Sequence, residues 1–195
     1  MEPTRIVTGR ALPLECANVD TDQIIPSHWL KRIERTGYAL GLFEAWRKDP
    51  SFVLNDDRYR GAKILIAGAN FGCGSSREHA VWALRESGFR AVIAPTIADI
   101  FKSNAIKNGL VPVELESDAV SRLLAAVKAD AGTTITVDVA QRTVAAPGLE
   151  ASFALADFFQ TYLLEGLDDI ALTLRHERDI AAFEANRAEW LPRVR

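Results

Sequence analysis

Short apolar runs and helix-period segments alternate through the middle of this 195-residue chain. The runs Lys63-Ile-Leu-Ile-Ala67, Ala91-Val-Ile-Ala94 and Leu110-Val-Pro-Val-Glu-Leu115 are strand-length and continuously apolar, as in strands buried on both faces. Between them the pattern predicts a helix over 76–87, stopped by Gly88, and a second from about 97 to the Asn108-Gly109 pair. Pro95 ends the middle strand. Strand, helix, strand, helix, strand in this order predicts parallel pairing with right-handed crossovers. Ahead of this unit, Arg5 to Glu15 alternates in part and reads as an extended segment. A polar turn with Asp20 and Asp22 follows, then a helical and loop-rich stretch over 27–48, with turns at Asp49-Pro50 and Asn55–Arg58. Beyond it, Ser117 is placed to cap a helix running to Ala129. Thr133–Val139 and Arg142–Ala145 predict a hairpin joined around Ala140-Gln141. The rest reads as helix over 154–165, 168–174 and 176–190. The predicted architecture is one α/β domain over 1–195 with added strands and a helical C-terminal extension from about 154.

Composition narrows the function. The chain is 48% hydrophobic and 25% charged, with net charge −3, which argues against a nucleic-acid surface. Lys and Arg crowd 31–35 and 85–90, but alternate with apolar residues as on solvated helix edges. The sequence has no apolar run of membrane-spanning length and no signal-peptide pattern, so the expected location is the cytoplasm. Cys16 and Cys73 are the only cysteines and are expected to be free thiols. An iron–sulfur cluster is usually held by three or four cysteines, so this chain is expected to bind neither a cluster nor any other metal.

Candidate chemistry concentrates in Gly68-Ala-Asn-Phe-Gly-Cys-Gly-Ser-Ser-Arg-Glu-His79, a Gly-rich loop between a strand and a helix. Gly68, Gly72 and Gly74 permit tight turns and close approach to a ligand. Ser75 and Ser76 stand where helix N-caps are favoured, and a helix N-terminus attracts anions. Arg77 adds a planar, permanently charged fork suited to a carboxylate. The loop is not a Walker A sequence, because no Lys precedes the serine. It is not a dinucleotide fingerprint, because Arg77 takes the third glycine's place. It is not a nucleophile elbow, because Ser75 lacks the following glycine. Around the loop, Asp20 and Asp22 are either metal ligands or turn caps, with capping the commoner use. Cys73 is a reactive thiol or a small packing residue. His79, four residues after Ser75, either pairs with it or packs against the helix. His28 and His176 have no partner legible in the sequence. The four tryptophans, at 29, 46, 82 and 190, suit core or subunit-interface anchors.

The string Phe71-Gly-Cys-Gly-Ser-Ser-Arg-Glu-His-Ala80 resembles the Gly-Ser-Ser-Arg-Glu-His-Ala motif of the aconitase superfamily's small swivelling domain, in the form carried by the 3-isopropylmalate dehydratase small-subunit family. Asn18–Pro26, Trp29–Gly37 with Leu42–Arg47, Phe101–Pro112, and Gly166–Leu174 with the tail to Pro192 resemble that family's other blocks in the same order. The resemblance implies the swivelling β/β/α fold and a hydro-lyase interconverting 2-isopropylmalate and 3-isopropylmalate in leucine biosynthesis. It implies a large-subunit partner that carries a [4Fe-4S] cluster, and a small hydroxy-dicarboxylic acid as substrate. By the same resemblance Ser75 is the catalytic base, and Gly74, Ser76 and Arg77 bind substrate. Aconitases carry an arginine soon after a Trp-Leu-Lys-like segment. The best-matching position here is Ile33, flanked by Arg32 and Arg35, and an apolar residue there fits an isopropyl group. Two other readings remain open at this point: a family hydro-lyase acting on a methylmalate- or homoaconitate-like acid, and a non-catalytic module for small anions.

Overall fold

The structure, a computed structural model, describes residues 1–34, 36–188 and 190. Arg35 and the stretch from 191 through Pro192 to the end, which the sequence reading used, lie outside the described residues. Seven strands form one sheet. In chain order they are β1 (Ile6–Leu14), β2 (Ile64–Ala67), β3 (Ala91–Ala94), β4 (Val111–Glu114), β5 (Thr134–Asp138), β6 (Thr143–Ala146) and β7 (Leu149–Ser152). The spatial order is β4-β3-β2-β1-β5-β6-β7. The β1–β4 half is parallel, and the β1-β5-β6-β7 half is antiparallel. The strand β1 is long enough to serve both halves. Ala11–Leu14 pairs with Ile64–Ala67, while Ile6–Arg10 pairs with Thr134–Asp138.

Every residue of β2 and β3 is buried, as expected of parallel strands covered on both faces. The helices are α1 (Thr21–Ile24), α2 (Glu78–Glu86), α3 (Asp99–Lys107), α4 (Ser117–Ala129), α5 (Asp157–Glu165), α6 (Asp169–Leu174) and α7 (Glu177–Ala185). Helix α4 packs along β1, β2 and β3 and reaches β7, while α3 packs against α2 and α5. Between β1 and β2, residues 27–59 contribute short 3₁₀ turns rather than full helices.

Three capping expectations are corrected. Helix α2 starts at Glu78, with extended Arg77 at its N-cap, so neither Ser75 nor Ser76 caps it. Ser117 is the first helical residue of α4, behind a Glu116 cap that makes no side-chain bond. The 27–48 stretch is less helical than its composition indicates. The expected C-terminal helices are present but shorter, and Asp168 caps α6 by accepting from the Ala171 N–H at 2.7 Å.

Besides Leu172, which packs on the core, a carboxylate ties helix α6 to the body. Asp169 accepts from Lys107 Nζ on α3 at 2.9 Å and from the Tyr162 hydroxyl on α5 at 2.8 Å. The Lys107 bond, then the Tyr162 bond, hold the Asp169 carboxyl below the usual range. Burial, then the same Asp169 contact, push the Tyr162 phenol up. A carboxyl depressed on folding stabilises the native state above its unfolded pKa and loses that contribution as pH falls through the folded value. Amide-exchange protection in α6 is therefore expected to fall on acidification. In Asp169→Asn it should already be reduced at neutral pH, with a flatter acid limb. Equal α6 protection in both proteins at neutral pH would refute the tether.

Candidate active site

Chain segments leaving the C-terminal ends of β1, β2 and β3 meet at one edge of the parallel half-sheet. This is the usual place for a ligand crevice in α/β sheets. The segment after β2, residues 68–77, lies between the other two and is stitched to both by main-chain bonds. On the β1 side, Asn18 N–H donates to Ala69, Gly72 N–H to Val19 and Thr21 N–H to Cys73, at 2.7–3.0 Å. On the β3 side, Phe71 N–H donates to Thr96 at 3.1 Å and Ala98 N–H to Phe71 at 2.9 Å. Asn70, at φ +60, adds a main-chain donation to Thr96 Oγ1 and a side-chain donation to Asn18 Oδ1.

Two glycines make this closeness possible. A Cβ on Gly68 would lie 2.6 Å from the Cys16 carbonyl oxygen. At Gly72, φ is +75 and a Cβ would lie 2.4 Å from Cγ of the Phe101 ring.

The next residues hold the candidate chemistry. Buried Thr21 donates its hydroxyl to the Ser75 carbonyl at 2.8 Å, fixing the main chain at the serine. Gly74, Ser75 and Ser76 are exposed. Among the described residues, the main-chain N–H groups of Cys73 through Arg77 donate to no carbonyl or side chain. Because no serine caps α2, these donors and the positive end of the helix stay available to an anion. A cleft of about 280 Å³ opens here, lined by Thr21, the Gly72–Arg77 loop and Ala98–Phe101 at the start of α3.

The structure thus brings Gly74, Ser75, Ser76 and Arg77 to one cleft. Ile33 does not line it and stands 94% exposed. Arg77 is largely buried and forms an ion pair with Asp22 of α1. Its Nη1 has no aligned hydrogen-bond acceptor among the described residues. The sequence reading gave Asp22 as a turn cap or a metal ligand, and the structure places it in α1, paired with Arg77. Asp20 does cap: its carboxylate accepts from Gln23 N–H at 2.7 Å, and Gln23 Oε1 accepts from Asp20 N–H at 2.8 Å. His79 packs edge-on to Tyr38 and against Trp82 rather than bonding to Ser75. Burial first, and the Arg77 charge after it, lower its pKa despite Glu78. Trp29, Trp46 and Trp82 pack on the core, whereas Trp190 is exposed. Thr21 and the Ala98–Phe101 wall had no chemical signature that would single them out in the sequence.

Comparison with known proteins places this site in a family. Residues 1–118 match the family model described as Aconitase C-terminal domain. Residues 121–157 match one described as LeuD_N, and 169–194 match the C-terminal domain of the 3-isopropylmalate dehydratase small subunit. The chain is 62% identical over 192 residues to the 3-isopropylmalate dehydratase small subunit of Parafrankia sp. (strain EAN1pec), covering 98% of each chain. It is 59% identical over 194 residues to that of Rubrobacter xylanophilus, covering 100% of both. A crystal structure of 3-isopropylmalate dehydratase from Methanocaldococcus jannaschii matches with TM-score 0.64 and 27% identity, over 92% of this chain and 99% of that one. The fold is that of the aconitase C-terminal domain. Within that class, the chain belongs to the 3-isopropylmalate dehydratase small-subunit family.

The Gly72–Phe101 contact gives a test of how the loop is held. Gly72→Ala is expected to lose roughly 1–2 kcal/mol from the left-handed backbone and roughly 1–3 kcal/mol from overpacking. Urea denaturation of wild type and variant measures the sum. A Gly72→Ala midpoint equal to wild type would show that the loop yields at this contact.

Proposed function

We propose that this chain is the swivelling half of a two-chain hydro-lyase that interconverts 2-isopropylmalate and 3-isopropylmalate in leucine biosynthesis. The loop Cys73–Arg77 then holds the substrate and moves its proton. On this reading residues 1–195 act as one unit, in the cytoplasm, with a large subunit. The observation that carries the reading is the row of unengaged N–H groups around Ser75, next to the Arg77 guanidinium.

The chemistry follows from what those groups can do. Dehydration of a hydroxy-acid removes a proton from the carbon next to a carboxylate and a hydroxyl from its neighbour. Ser75 is the base for the proton. A serine hydroxyl performs this task only as alkoxide, and converging N–H dipoles at a helix N-terminus favour that state. Ser76 and the Gly74 N–H receive the carboxylate, and Arg77 binds it as a two-pronged donor. Its charge also acidifies the adjacent C–H. Asp22 holds the guanidinium until a substrate carboxylate competes for it. The segment 27–40, with Ile33, faces the isopropyl group once the partner encloses the cleft.

The leaving hydroxyl needs an electrophile. Among the described residues no group of three or more His, Cys, Asp or Glu is placed to hold a metal. Cys16 and Cys73 lie on separate loops, so their donor set does not fit a cluster. The reading assigns a [4Fe-4S] cluster to the large subunit, where it supplies a Lewis acid. No helix among the described residues is long and apolar enough to cross a membrane.

Two outcomes are expected. The isolated chain should be colourless and inactive, with activity appearing when it is mixed anaerobically with a cluster-loaded large subunit. Hydration of isopropylmaleate by the pure chain would overturn the division of labour. In the assembled enzyme, Ser75→Ala should lower kcat by about 10²–10⁴-fold, as removal of a general base does, with little change in KM. Arg77→Lys should raise KM, since an ammonium cannot reproduce the planar fork. Near-native kcat in Ser75→Ala would move the base elsewhere.

A further inference from the structure

The segment that carries Ile33 is bracketed by contacts that the proposed chemistry does not use. Trp29 sits before it, in a 3₁₀ turn over Ser27–Lys31, and Tyr38 begins the next turn, over Tyr38–Gly41. The Trp29 indole N–H donates to Glu44 Oε2 at 2.5 Å, and His28 Nε2 lies 3.0 Å from the same oxygen. The indole rests on Gly41, where a Cβ would come within 2.7 Å of the ring. Arg32 lies over the same indole, 5.8 Å from its centroid. Its guanidinium also reaches back to Gly37, whose φ is +90 and whose Cβ would meet Nη2 at 2.8 Å.

The acceptor itself is held in place. Phe43, fully buried, adopts φ +50, an unusual conformation for a bulky residue. Its N–H donates to Ile24 at the end of α1 at 2.8 Å, and its ring stacks on Trp46. That backbone turn presents Glu44 to Trp29. The Trp29 bond is the largest cause lowering the Glu44 pKa, with His28 and Lys48 adding to it against some burial. At the other end of the loop, Tyr38 is buried against His79 and Trp82 of α2. Packed contacts therefore run from α1, which carries Thr21 and Asp22, through Phe43 and Glu44 to Trp29 and the 32–37 loop.

We propose that Glu44 is a positioning residue that latches the 32–37 loop through Trp29 and His28, and so sets how that loop meets substrate. The proposal rests on the reading that segment 27–40 faces the substrate's distinguishing group. With the latch, the loop is held in its competent arrangement before substrate arrives. Without it, only a fraction of molecules is competent, and apparent affinity falls by that fraction while bound complexes still react.

The test has two arms. On the isolated full-length chain, trypsin should cut after Lys31, Arg32 and Arg35 about tenfold faster in Glu44→Ala and in Trp29→Phe than in wild type, with sites outside 31–35 unchanged. Trp29→Phe keeps an aromatic ring at this position while removing the N–H donor and part of the indole, so it guards against a folding defect in Glu44→Ala. The double variant should be little worse than either single one, because both break the same bond. In the assembled enzyme, Glu44→Gln and Trp29→Phe should raise KM for isopropylmalate several-fold and leave kcat within about twofold. Unchanged cleavage in both single variants overturns the latch. Faster cleavage with unchanged KM overturns the substrate-facing role of the loop. Ser75→Ala, assayed beside them, reports separately on the proposed base, so the two readings fail independently.

Discussion

The loop that carries Ser75 has no regular structure of its own. Its shape is imposed by main-chain hydrogen bonds with Asn18, Val19 and Thr21 on one side and with Thr96 and Ala98 on the other. Those bonds exist because three parallel strands end at the same edge and release three chain segments side by side. Gly68 and Gly72 are the points where the segments approach too closely for a side chain. The positions of Ser75, Ser76 and Arg77 are thereby inherited from the sheet register. A slip of one residue between β1 and β2 would exchange the side chains packed on the two covered faces of a strand, and would also separate the Val19 carbonyl from the Gly72 amide.

The local electrostatics follow from what the loop leaves undone. Helix α2 begins with Arg77 and has no side-chain cap, although serines precede it and a cap is typically worth about 1 kcal/mol. An uncapped start keeps the donors of the preceding residues open. The same residue that occupies the N-cap carries the buried guanidinium, paired to Asp22 across the cleft. Arg77 is the largely buried member and Asp22 the exposed one, so the guanidinium is oriented by a carboxylate at the surface, with one buried nitrogen still lacking an aligned acceptor.

How much of this was legible in the sequence depends on the kind of signal. The strands β2, β3 and β4 announce themselves as short apolar runs, because both of their faces are buried. The hairpin of β5 and β6 follows from alternation and a polar turn, and Arg142 at φ +56 sits in that turn. The strand β7 was not anticipated, since Leu149-Glu-Ala-Ser152 alternates over only four residues and buries none of them fully. The dual role of β1 was hidden too, because pairing partners are set by tertiary register rather than by the strand's own pattern. At the site, the motif marked a segment that the structure brings to one cleft, but its helix boundary was placed two residues early. The serines looked like caps only because Ser is a good cap in general. The Asp22–Arg77 and Glu44–Trp29 contacts join residues far apart in sequence, and no local pattern marks either one.

Exposure explains why such a site suits a two-chain enzyme. Gly74, Ser75 and Ser76 face solvent, where water competes for every donor in the row and screens the Arg77 charge. An alkoxide is out of reach under those conditions. The same N–H groups gain strength when water is excluded, because charge–dipole terms grow as the local dielectric falls. What this chain supplies on the proposed reading is geometry fixed in advance: main-chain donors left open, a guanidinium oriented by Asp22 and a loop held at both ends. On the same reading a surface that closes over the cleft supplies the low dielectric, and the isolated chain is inert toward stray acids because neither the dry environment nor the electrophile is present until the second chain docks.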